Sequence, residues 1–163
     1  SLRDSGHILS VRGSGSITLP QAGREPGRVA VGADEIDLQQ ASPAAWPGLP
    51  LVTGGRSAGA RIACRTWDAD LAGVLALSFP LHPPGRPEAS RLGELTPVGV
   101  PVLLISGARD PFGSPAELAD ALATPQGGPR ELVVVPGATH SFPKPTAQVL
   151  TGAVADWLAG RSV

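Results

Sequence analysis

Three residues, far apart in the chain, have the types that acyl transfer needs: Ser57, Asp110 and His140. Ser57 sits in Gly55-Arg56-Ser57-Ala58-Gly59, which fits the pattern G-x-S-x-G. An apolar run precedes the pattern and a helix-compatible stretch follows it. Glycines at both flanking positions allow strand and helix backbones to approach where a Cβ would not fit. A serine on such a turn would be strained, with its hydroxyl at a helix N-terminus that favours developing negative charge. It would need a base, and the base an orienting carboxylate. Asp110 follows the run VPVLLIS and His140 follows ELVVV, in the chain order that a strand–turn–helix serine takes for its acid and base.

The same residues admit other readings. Gly54 and Gly59 have phosphate-loop spacing, but Ala60-Arg61 stand where Lys-Ser/Thr would hold phosphate and magnesium, and no G-x-G-x-x-G occurs there. Nucleotide binding is therefore disfavoured. Ser57 could be a small residue tolerated by close packing, Asp110 a turn or cap residue before Pro111, and His140 a solvated loop histidine. All three standing in the order and places that one mechanism requires outweighs those readings. His82, in FPLHPPG, is a rival base, but it precedes Asp110 and lies between prolines, which suits a structural or pocket-lining role better. Arg56 and Phe112 are further pocket candidates. Arg56 and Arg61 flank the serine and could hold an acidic substrate, although surface pairing is the commoner fate. Cys64 reads as a small buried hydrophobe.

The elements that must position these residues are legible from residue 49 onward. LPLVT (49–53), AGVLALSF (72–79), VPVLLIS (100–106) and ELVVV (131–135) are short apolar runs, the last three stopped by Pro80, Gly107 and Pro136-Gly137. Runs that do not alternate describe parallel strands buried on both faces. AGARIACRTW (58–67) is helix-compatible. Ser114-Pro115-Ala116-Glu117 is a capping box with proline at the first helical position, opening a helix to about Ala123. After Pro145, Val149, Leu150, Ala153, Val154, Trp157 and Leu158 fall at helical spacing, with Gly160 at the C-cap. Strand, helix, strand, loop, strand, helix, strand, helix is an α/β domain with a mostly parallel sheet. In residues 1–48, HILSV and SITL, separated by RGSG, could form a hairpin, and RVAVG one more strand. ADEIDLQQASPAAW is at best weakly helical.

Composition bounds the function. The 163 residues suit one domain, and 42% hydrophobic content with net charge −1 describes an ordinary globular protein. That charge leaves no footprint for nucleic acid or a membrane surface. One cysteine excludes an intrachain disulfide and cysteine-paired metal sites. His7, His82 and His140 are far apart, so metal- or thiol-dependent chemistry has almost no residues to stand on. No apolar run is membrane-spanning, and SLRDSGHILS lacks a signal pattern, which makes the cytoplasm the default. The absence of methionine implies that the initiator has been removed or that the chain is part of something longer. The 21 glycines and 18 prolines must act as punctuation between elements.

LVTGGRSAGARIA (51–63), GVLALSFPLHPPGRPE (73–88), VPVLLISGARDPFG (100–113) and VVVPGATHSF (133–142) together resemble the α/β-hydrolase superfamily. Within it they resemble most the small dienelactone-hydrolase-like group that includes the NSL-complex subunit 3 proteins. FPLHPPG and ARDPFG are more specific to that group than G-x-S-x-G, and the resemblance covers about residues 49–160. It implies a hydrolase of carboxylic esters or thioesters, with Ser57 as nucleophile, His140 as base, Asp110 as orienter and the Ala58 N–H as oxyanion donor. It implies no cofactor, and a small-molecule ester as substrate. The departure lies in residues 1–48, an atypical or shortened part of the same domain, with 49–163 as the hydrolase core. The family's strand beside the elbow strand, ending in a His-Gly-rich oxyanion loop, is not evident: Ile8 follows Gly6-His7, and Gly13-Ser14-Gly15 lacks the context. Either RVAVG takes that strand's place or the sheet has an exposed edge that a second copy would cover. One missing oxyanion donor costs about 10²–10³ in rate. The alternative is thus a non-catalytic α/β-hydrolase-like module that binds a partner protein.

Overall fold

The computed structural model describes residues 8–12, 50–123 and 126–160, the first of these as backbone. Five strands form one parallel sheet in the order β1-β2-β3-β4-β5: β1 (Ile8–Arg12), β2 (Leu51–Arg56), β3 (Gly73–Leu77), β4 (Val102–Gly107) and β5 (Arg130–Val135). The central strands are buried along their whole length, as their unbroken apolar runs require. Alternate side chains feed two cores. Val74, Ala76, Val102 and Leu104 meet Ala60, Ala63 and Cys64 of α1 (Ala58–Arg65) and Leu118 of α3 (Pro115–Leu122). Leu75, Leu77, Leu103 and Ile105 meet Val154, Trp157 and Leu158 of α4 (Ala147–Ala159) on the other face. The result is the layered α/β architecture expected from the element order.

Several expectations need correction. The strand beside β2 is present: HILSV supplies it as β1, running parallel with Ile8 opposite Leu51 and Arg12 opposite Gly55. RVAVG does not fill that place, and the elbow strand is not an open edge. The hairpin expected between HILSV and SITL involves residues outside those described, and β1 is seen only in its parallel pairing with β2. SITL, RVAVG and ADEIDLQQASPAAW lie outside the described residues. β5 is not buried on both faces: Glu131 and Val134 are exposed, and among the described residues β5 has one neighbouring strand to shield it. Val149 is 44% exposed. It lies one residue before Leu150, about 100° round the helix, and so falls at the margin of the buried stripe.

The capping box forms as read. The Ser114 N–H donates to Glu117 Oε2 at 2.8 Å, the Glu117 N–H donates to Ser114 Oγ at 3.3 Å, and Pro115 takes the first helical position. One turn of helix, α2 (Leu92–Leu95), interrupts the long connection that reads as loop in the sequence. It buries Leu95 and presents Glu94 to Arg61 of α1, whose Nε and Nη2 donate to the two carboxylate oxygens at 2.8 and 2.5 Å. Surface pairing is thus the fate of Arg61. Bonding to Arg61 holds the Glu94 carboxyl below the usual carboxylate range, against the opposing effect of partial burial. A depressed carboxyl contributes stability that is complete above its unfolded value, near 4.3, and is lost as pH falls through the lower folded value. Glu94→Gln is therefore expected to lower the melting temperature by roughly 2–6 °C at neutral pH. The difference from wild type should shrink towards zero in acid, which calorimetry across pH would show.

Candidate active site

β2 leads into the elbow through two positions that only glycine can occupy. A Cβ on Gly54 would lie 2.6 Å from the Leu75 carbonyl oxygen, and one on Gly55 would lie 2.5 Å from the Gly59 carbonyl carbon. Strand and helix therefore meet backbone to backbone, as the G-x-S-x-G spacing implies. Ser57, between them, adopts φ 54° and ψ −114°. A non-glycine residue in that region stores about 1–3 kcal/mol of strain. Two hydrogen bonds hold it: its N–H donates to the Leu77 carbonyl at 2.9 Å, and its own carbonyl accepts the Arg61 N–H at 3.2 Å. The Ser57 hydroxyl makes no cap bond to the helix. Ala58 is the exposed first residue of α1, in the turn whose N–H groups the helix leaves unused.

Asp110 and His140 follow the ends of β4 and β5. After Gly107 the chain turns tightly, the Asp110 N–H donating to the Gly107 carbonyl at 3.2 Å. The buried Asp110 carboxylate accepts the Phe112 N–H at 2.9 Å and makes a long contact with the Ser106 hydroxyl at 3.5 Å. Asp110 is thus a turn residue as well, its carboxylate serving both arrangements. The loop after β5 lies directly on Gly107, where a Cβ would be 2.1 Å from the Thr139 carbonyl oxygen. The Arg109 N–H donates to the Ala138 carbonyl at 3.0 Å and the Arg109 guanidinium to that of Gly137 at 2.7 Å. These contacts bring His140 over Asp110.

The three side chains then form one line. His140 Nδ1 stands 3.0 and 2.9 Å from the two Asp110 oxygens, and its Nε2 stands 2.8 Å from Ser57 Oγ. A carboxylate can only accept, so Nδ1 carries the ring proton and Nε2 is the acceptor for the serine hydroxyl. The Phe112 ring covers His140 with centroids 4.2 Å apart and planes tilted by 36°. Asp110 is 4% exposed, which shields its bond to the imidazole from water. Such an arrangement can pass a proton from Ser57 to an oriented imidazole, the requirement for making serine a nucleophile.

Of the other sequence candidates, Arg56 is exposed at the end of β2. His82 is buried, with Nδ1 2.8 Å from the Pro83 carbonyl oxygen and Nε2 3.2 Å from Glu117 Oε1. Those contacts commit both ring nitrogens away from Ser57, and the imidazole on the serine is that of His140. Cys64 is buried in α1, and burial pushes its thiol up to about 12, so it stays neutral. Two serines escape a reading of the sequence. Ser106 is a strand residue with no motif around it. Ser78 turns the chain out of β3 at φ 46°, fully buried, its hydroxyl without a partner among the described residues. Neither Ser78-Phe79 nor Ser106-Gly107 carries a turn signature that would announce these roles.

The family model described as "Alpha/beta hydrolase domain" matches residues 22–155. An alpha-beta serine hydrolase homologue from Coxiella burnetii superposes with a TM-score of 0.57 at 21% identity, over 73% of this chain and 54% of that one. A monoacylglycerol lipase from Paleococcus ferrophilus gives 0.54 at 14% identity, over 69% of each chain. A thermophilic, malate-bound esterase from Thermogutta terrifontis gives 0.53 at 18% identity, over 70% of this chain and 66% of that one. The chain thus spans between half and about two-thirds of the length of these structures. At these identities the likeness concerns the fold. No curated protein sequence matches the chain. Among the described residues, no helix is long and apolar enough to cross a membrane.

Proposed function

This chain belongs to the alpha/beta hydrolase domain family, and from that premise we propose that it is a serine hydrolase cleaving a small carboxylic ester or thioester through an acyl-enzyme. The observation that carries the proposal is the unbroken line from Ser57 Oγ through His140 to Asp110, at 2.8 and 2.9 Å. Its members come from the ends of three different strands, so no local turn preference explains their convergence. The names of the lipase and esterase neighbours support the reaction class. FPLHPPG and ARDPFG support the finer placement in the dienelactone-hydrolase-like group related to NSL-complex subunit 3.

In the proposed reaction Ser57 Oγ attacks the substrate carbonyl carbon while its proton passes to His140 Nε2. Asp110 holds the ring in the required tautomer and faces the imidazolium that results. The tetrahedral oxyanion accepts the Ala58 N–H at the start of α1. Collapse expels the alcohol or thiol, which takes the proton from Nε2. Water then attacks the acyl carbonyl, returns a proton to Nε2 and releases the acid, and Ser57 recovers its proton. The test is hydrolysis of a series of p-nitrophenyl and thioester substrates of increasing acyl length. Turnover above a heat-denatured control is expected for the short members, and no turnover across the series by folded protein would count against the proposal.

A further inference from the structure

The motif FPLHPPG takes no part in the reaction above, yet its histidine is buried beside the site. Phe112 is where the two meet. Its N–H donates to Asp110 Oδ1, its ring covers His140, and its carbonyl accepts the main-chain N–H of His82 at 3.0 Å. Residue 112 therefore touches the acid, the base and the motif at once. The His82 ring is itself fixed at both ends, on the Pro83 carbonyl and on Glu117 Oε1. Glu117 is fixed in turn, since its Oε2 accepts both the N–H and the hydroxyl of Ser114 at 2.8 and 2.7 Å. Those bonds, with a smaller contribution from His82, hold the Glu117 carboxyl below the usual carboxylate range, so the group facing His82 is an anion. Gly113 completes the fit: a Cβ there would lie 2.9 Å from that of Leu81, the residue before His82.

We propose that His82 is a positioning residue for the Ser57 reaction, clamping the Phe79–Pro83 connection to the first turn of α3 so that Phe112 stays against His140 and Asp110. The inference rests on the serine-hydrolase reading and adds to it a role for the motif. Without the clamp, Phe112 still receives the His82 main-chain N–H, but the connection that carries this donor is no longer tied to α3. The imidazole then gains freedom to leave the line between Ser57 and Asp110. A geometric loss of that kind falls on kcat and on the reactivity of Ser57, with KM little changed.

The test measures the second-order rate of labelling by a fluorophosphonate, with the melting temperature recorded for every variant. His82→Leu is expected to slow labelling about tenfold. His82→Gln, whose amide reaches the position of Nε2 and can still meet Glu117, should recover the rate to within about threefold of wild type. His82→Asn, which keeps the Pro83 contact and loses the Glu117 one, should behave like His82→Leu and replaces it if that variant does not fold. In a Phe112→Leu background the His82 substitutions should slow labelling by less than about twofold, while their effects on melting temperature still add. Folded His82 variants that label as fast as wild type would overturn the inference, as would equal slowing in both backgrounds. A wild type that takes no label would overturn the hydrolase reading and this one with it.

Discussion

Ser57→Ala is expected to lower kcat for a p-nitrophenyl ester by about 10⁴–10⁶ while the protein stays folded. The size follows from what the substitution removes. Alanine keeps the Cβ, so the unusual backbone at φ 54°, the bond to the Leu77 carbonyl and the contact between Gly55 and Gly59 all persist. The hydroxyl alone disappears, and with it the atom that would bond to the acyl carbon. His140 Nε2 loses its donor but gains access to water, because the histidine side chain is 22% exposed. The melting temperature should therefore move by no more than about 4 °C in either direction. Any residual rate would come from binding and the helix N-terminus, without an acyl-enzyme. KM should change little, since the lost interaction belongs to the transition state. Steady-state kinetics beside a thermal melt would check both halves.

Asp110→Asn is expected to lower kcat by about 10⁴, with geometry nearly intact. Asparagine can still accept the Phe112 N–H through its oxygen, so the turn after β4 is retained. Its amide nitrogen then faces His140 Nδ1 as a donor. The ring responds by carrying its proton on Nε2, the nitrogen that must accept from Ser57. The base is thus present but in the wrong tautomer, and an imidazolium formed beside it would have no anion to face. Asp110→Ala is the less informative change, because it also empties a buried site and frees the turn. A kcat for Asp110→Asn within tenfold of wild type would mean that Asp110 serves the turn alone.

Much of this arrangement is legible in the sequence, for reasons that also explain what is not. Runs such as GVLAL and VLLIS sit in the middle of the sheet with neighbours on both sides, so their composition had to be apolar throughout. The elbow announces itself because a backbone-to-backbone crossing excludes Cβ atoms and so demands glycines. The capping box is a short-range device, closed here between Ser114 and Glu117 three residues apart. At the edges such signals fade. β1 pairs with a strand whose first residue is Leu51, and nothing within HILSV specifies so distant a partner. Among the described residues β5 has one neighbouring strand, so Val134 can be apolar in sequence and exposed in the fold. The place of Phe112 as the meeting point of Asp110, His140 and His82 depends on tertiary contact alone and leaves no mark in the sequence. The same holds for Ser78, whose left-handed backbone follows a strand end with no glycine to mark it.

The most direct test of the central claim is the intact mass of the protein after exposure to a fluorophosphonate, followed by location of the modified peptide. An activated serine, and only such a serine, is phosphonylated at low reagent concentration. The account predicts a single adduct on the wild type, carried by the peptide that contains Ser57, and none on Ser57→Ala. A folded wild type that takes no adduct, or an adduct that survives Ser57→Ala, would contradict it.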